Sequence, residues 1–121
     1  MTAPSLPAAL RAGAAGLYAL EAAVGLIIAH STWLTRDDFT CLIEHGTRTA
    51  AIDWEAAACA LETGGLPCSR GESRMLTLAS SLAGQAPVNL GDAITGIDDR
   101  NVGLLVQAVL HASGQRQFPA C

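Results

Sequence analysis

The amino-acid sequence predicts an all-α fold: a compact orthogonal bundle of five to six helices with no sheet, formed by residues 1–121 as a single helical domain. Three observations lead there. Half of the residues are apolar, and alanine and leucine, which favour helix, dominate that half over the β-branched and aromatic residues that favour strands. Apolar positions recur at helical spacing between residues suited to capping helix N-termini. A chain of 121 residues also buries about two thirds of its unfolded surface in one core, so neither a metal nor a disulfide is needed for folding.

The first helix is expected from about Pro7 to Ala29, with Ser5 as N-cap and Leu17, Leu20, Val24, Ile27 and Ile28 as its apolar stripe. Gly13, Gly16 and Gly25 would allow another helix to approach closely. After a connection through Trp33, Thr35 and Asp38 form a capping-box-like start for a second helix ending near Gly46, with Phe39, Leu42 and Ile43 inward. Asp53 caps a third helix that buries Trp54, Ala57, Ala58 and Leu61 and stops at Gly64-Gly65. Ser69 and Glu72 form a Ser-x-x-Glu capping box for a fourth, with Met75, Leu76, Ala79 and Leu82 inward and Gly84 closing it. Asn89 and Asp92 suit a short fifth helix. Asp98 or Asp99 caps a sixth, carrying Val102, Leu105, Val106, Val109 and Leu110 to Gly114. Residues from about 115 to 121 are expected to form a flexible tail.

Charge narrows the function classes. All seven basic residues are arginines, scattered along the chain and set against eleven carboxylates, whereas a protein that binds nucleic-acid backbone gathers basic charge on one face. Residues 35–62 hold Asp37, Asp38, Glu44, Asp53, Glu55 and Glu62 against two arginines, so the surface there is acidic. Between Ala12 and Ala29 the only charge is Glu21. The length approaches a membrane span, but that central carboxylate, the many alanines and glycines and the missing basic flank point to a buried helix instead. No membrane association is expected. With no convincing secretory signal, the expected location is cytoplasmic.

The run "SRMLTLASSLAGQAPVNLGDAITGIDDRNVGLLVQAVLHASG" is similar to the tri-helical core of helix-turn-helix and winged-helix proteins, over about residues 72–114. The resemblance implies a DNA-binding transcriptional regulator or accessory factor in which Arg100, Asn101 and Gln107 on the third helix read DNA, with Arg70 and Arg74 beside them. Asp98 and Asp99 place carboxylates at the start of that recognition helix.

Two constellations carry chemistry on paper. Cys68-Ser-Arg-Gly-Glu-Ser-Arg74 matches Cys-x-x-Gly-x-x-Arg, the phosphate loop of cysteine-dependent phosphatases. In that resemblance Cys68 is the nucleophile and Arg74 the clamp on the phosphate oxygens. Pro67 stands where that family has histidine, Met75 follows the arginine in place of serine or threonine, and no strand leads into the loop. Separately, Cys41, His45, Cys59 and Cys68 amount to four zinc-ligand types, with Cys41 and His45 sharing a helical face, although no two cysteines have the two-to-four spacing of a zinc knuckle. A Cys41–Cys59 disulfide is conceivable but is disfavoured in a reducing compartment.

The first helix carries more apolar surface than one core requires, including Leu17, Tyr18, Leu26 and Ile28. The function expected from these features is a non-enzymatic helical interaction module, forming a homodimer and binding a further protein, with no cofactor and no metal. Helix-turn-helix-like DNA binding is the alternative, and phosphatase chemistry the remote one.

Overall fold

A computed structural model of the chain describes residues 4–85 and 87–114, so the expected tail at 115–121 lies outside the described residues. In chain order the elements are α1 (Leu6–Ala14), α2 (Tyr18–His30), a 3-10 turn (Trp33–Thr35), α3 (Asp37–Thr40), β1 (Ile43–His45), β2 (Ala50–Ile52), α4 (Trp54–Glu62), α5 (Arg70–Leu82), α6 (Leu90–Ile94) and α7 (Asp99–Ala112). The expectation of an all-α bundle without a sheet is therefore corrected: the fold is mostly helical, with seven α-helices and one two-stranded antiparallel sheet among the described residues.

The sheet forms where the second helix was expected. Helix α3 stops after four residues, and the chain turns into a hairpin in which Ile43 pairs with Ile52, Glu44 with Ala51 and His45 with Ala50. The Gly46 N–H donates to Thr49 O at 2.8 Å across the turn, and the Asp53 N–H donates to Leu42 O at 2.9 Å at the base. The physical reason lies in the side-chain period. In this register Ile43 and Ile52 both face inward while Glu44 and Ala51 face out, an arrangement that a continued helix could not give to the two isoleucines together.

The hairpin is held by α1. An ideal Cβ built on Gly13 would lie 2.4 Å from the carbonyl oxygen of Ala50, so the helix rests directly on the backbone of β2. Gly13 thus permits close approach of a strand rather than of a second helix.

The expected first helix from Pro7 to Ala29 is also two helices. Ser5 caps α1 as expected, its hydroxyl accepting from the Ala8 N–H at 3.3 Å. The chain then breaks at Ala15–Leu17, where Gly16 adopts a φ of +97°, a left-handed conformation that costs glycine nothing. Beyond the break, α2 runs through the middle of the molecule and packs on α1, α5 and α7. Its buried residues, Ala22, Ala23, Val24, Leu26, Ile27 and His30, span somewhat more than half of its circumference, about 200° at 3.6 residues per turn. Of its surplus apolar residues, Leu26 is covered by the chain's own helices, whereas Leu17 and Tyr18 stay exposed.

The remaining caps follow the sequence closely. Asp53 Oδ1 accepts from the Ala56 N–H (3.0 Å), Asn89 Oδ1 from Asp92 N–H (3.2 Å) and Asp98 Oδ1 from Asn101 N–H (2.8 Å). Ser69 and Glu72 complete a reciprocal capping box at the start of α5. Around α2 the core is closed by Leu10, Trp33, Phe39, Met75 and Leu76, all fully buried and each contributing about 1.5–3 kcal/mol or more from removal of apolar area from water. Trp33 is pinned from three sides: its ring meets Phe39 at 5.5 Å, its Nε1–H donates to Glu72 O at 3.3 Å, and the Arg36 guanidinium lies 4.7 Å above it.

Candidate functional site

Helix α7 has two distinct edges, and both arise from how it lies on α2. Asn101, Leu105 and Ala108 are buried on its inner side. At 3.6 residues per turn, Leu104, Gln107, Ala108 and His111 then fall along one edge. Val102, Val106 and Val109 fall along the other, about half a turn away. These three valines are 43, 44 and 51% exposed. The inner face is taken by Asn101, Leu105 and Ala108, on the side where α7 packs on α2.

Along the first edge, α7 and α2 enclose a groove of about 450 Å³. Its floor is Ala22, Gly25, Leu26, Leu104 and Ala108, and its polar groups are Arg11, Glu21, Gln107 and His111. His111 Nε2–H donates to Glu21 Oε1 at 2.6 Å, and Glu21 Oε2 accepts the Gly16 N–H at 2.9 Å. The same carboxylate therefore closes the α1–α2 break and fixes the end of α7. Tyr18 packs edge-on against the His111 ring at 6.1 Å between centroids.

The residues expected to read DNA are not brought onto one face. An Arg100 Nη2–H donates to the Ala29 carbonyl at 3.1 Å, placing the cation at the C-terminal end of α2. Asn101 is buried. Gln107 lines the groove, and Arg74 Nη1 lies beside Gly96, 2.8 Å from where a Cβ would be. Arg70 is exposed at the start of α5. The outward flank of the would-be recognition helix carries valines.

Cys68 and Arg74 do not form a phosphate cradle either. Glu72 Oε1 accepts the Ser69 N–H at 2.8 Å, which puts a carboxylate at the helix N-terminus where an anion would have to bind. Burial, and then the nearby Glu72, push the Cys68 thiol above its ordinary pKa, so the nucleophilic thiolate is disfavoured. Cys41, His45, Cys59 and Cys68 sit apart on α3's end, β1, α4 and the α4–α5 loop. Among the described residues no three His, Cys, Asp or Glu side chains come together as metal ligands. Cys41, Cys59 and Cys68 are free thiols, so the conceivable Cys41–Cys59 disulfide is absent.

Of the expected contact residues on the first helix, Leu17 and Tyr18 are exposed, while Ile28 is half-buried and Leu26 is only 2% exposed. Leu26 is removed from the surface because α2 is the central helix. Sequence reasoning did not find the groove. Its one signal was Glu21, a lone carboxylate in an apolar stretch, which requires a partner somewhere in the fold.

No protein-family model, curated protein or solved structure matches this chain. No helix among the described residues is long and apolar enough to cross a membrane.

Proposed function

We propose that the protein is a non-enzymatic interaction module that pairs with a second copy of itself through the outer flank of α7. The observation that carries this reading is the exposed row Val102, Val106 and Val109. The spacing is self-complementary: an antiparallel copy related by a two-fold axis near Val106 sets Val102 of each chain against Val109 of the other. Residues 101–110 contain no charged side chain, so no charge is desolvated by that contact.

Gly103 adjoins the row, and no atom lies within 4 Å of where its Cβ would be. An exposed helical glycine costs about 1 kcal/mol relative to alanine. Here it leaves room for a second backbone. Leu90 and Ile94, four residues apart on α6 and both exposed, add apolar surface on the segment leading into α7. Closed two-fold pairs are the commonest assembly of small proteins, and the opposite flank is taken up by the groove. The valines, and the engagement of Arg100 by the Ala29 carbonyl, favour this reading over DNA recognition.

The test is sedimentation velocity over a concentration series, with circular dichroism as a folding control. The expected result is a dimer for the native chain and a folded monomer for Val106→Asp, in which two carboxylates would meet at the axis. A native chain that remains monomeric throughout, or a Val106→Asp chain that dimerises equally well, overturns the reading.

A further inference from the structure

We propose that the groove between α2 and α7 binds a small amphipathic carboxylate, its anionic head on Arg11 and its apolar body along the floor formed by Ala22, Gly25, Leu26, Leu104 and Ala108.

The cavity has the size and character of a ligand site. Its volume of about 450 Å³ falls within the roughly 300–1,000 Å³ of small-molecule pockets, and it joins an apolar floor to a few convergent polar groups. It is open because of Gly25. A Cβ there would have the Arg11 Nη1 at 3.9 Å as its nearest neighbour, an ordinary contact, so close packing does not require glycine. Glycine in a helix interior costs about 1 kcal/mol relative to alanine. What its missing side chain provides is depth in the groove.

Electrostatics select the sign of the ligand. Glu21 and His111 are paired with each other at 2.6 Å. Arg11 projects over Gly25 and has no hydrogen bond or ion pair among the described residues. A guanidinium offers two parallel N–H donors, which match a carboxylate bidentately. The Gln107 amide supplies a further neutral donor and acceptor at the rim. An apolar amine would meet Arg11 with like charge, and a neutral molecule would leave the guanidinium's donors without a partner.

The site lies on the edge of α7 away from Val102, Val106 and Val109, so it stands or falls independently of self-association.

The experiment is isothermal titration of the full chain with 3-phenylpropionate, set against 3-phenylpropionamide and 3-phenylpropylamine as probes of the same body with neutral and cationic heads. The expected result is binding of the carboxylate at least tenfold tighter than of the amide, with no detectable binding of the amine. Arg11→Gln, at an exposed position, should abolish the tenfold preference while leaving circular dichroism unchanged. Gly25→Leu should abolish binding by filling the floor, with backbone amide shifts confirming that the fold persists. Equal affinity for the three probes, retention of the preference in Arg11→Gln, or no binding of the carboxylate to the native chain overturns the proposal.

Discussion

Glu21 and His111 are separated by 90 positions in the sequence and joined by a 2.6 Å hydrogen bond in the fold. That contact ties the first turn of the central helix to the last turn of α7, and through the Gly16 N–H it also fixes the break between α1 and α2. Glu21→Ala should therefore destabilise the protein by about 1–2 kcal/mol, because a backbone donor and an imidazole each lose an acceptor. His111→Ala should cost less, about 1 kcal/mol or below, since that side chain is partly solvated. Urea denaturation of the two single variants and the double variant measures the coupling, and strict additivity would show that the pair contributes nothing.

Gly13→Ala tests the contact between α1 and the hairpin. Helix propensity alone predicts a gain of up to about 1 kcal/mol. The 2.4 Å approach to the Ala50 carbonyl oxygen predicts a net loss of about 1–3 kcal/mol, because backbone must move to admit the methyl group. Gly71→Ala on α5 is the control. A Cβ there meets nothing within 4 Å, so that variant should be neutral or slightly stabilised in thermal denaturation.

His30 should make stability depend on pH. It is buried at the end of α2, and burial, followed by repulsion from Arg100, lowers its pKa below the ordinary value of about 6.5, despite opposing contributions from Glu72 and Asp98. Above about 6.5 the imidazole is neutral in both folded and unfolded chains. As pH falls from there toward the lower folded value, the unfolded chain takes up a proton that the folded chain resists, so stability declines. His30→Leu should flatten the urea midpoint between pH 7.5 and 5 relative to the native chain, and an unchanged slope would assign the titration elsewhere.

Cysteine reactivity should follow burial. Cys41 and Cys59 are exposed, whereas Cys68 is half-buried with its thiol pKa pushed up. Alkylation by iodoacetamide near neutral pH, followed by peptide mass spectrometry, should modify Cys41 and Cys59 before Cys68. Preferential reaction at Cys68 would instead show an activated thiolate.

Ser69→Ala should cost about 1 kcal/mol, since it removes the acceptor for the Glu72 N–H and half of the capping box. Thermal denaturation reads the loss directly.

How much of this was legible follows from the range of each interaction. The caps at Ser5, Asp53, Ser69, Asn89 and Asp98 were all readable, because each is a bond between a side chain and an amide three residues on. The starts of α1, α4, α5, α6 and α7 were therefore determined by the sequence itself. The break at Gly16 was not, since an apolar stripe runs through it and the compensating acceptor, Glu21, lies in the next helix. Nor was the hairpin legible. Three-residue strands carry too little periodicity, and Ile43 and Ile52 are placed on one face only by pairing with each other and by the weight of α1 on β2.

The candidate sites divide the same way. The residues of α7 were known from the start, but five apolar positions could not say which of them α2 would cover. Burial was decided by fit: Asn101, Leu105 and Ala108 pack inward, leaving the valines outside and a groove over Gly25. Local hydrogen bonds determined where helices begin, while the faces they bury, the strand pairing and the meeting of Arg11, Glu21, Gln107 and His111 were decided only when distant segments competed for the same core.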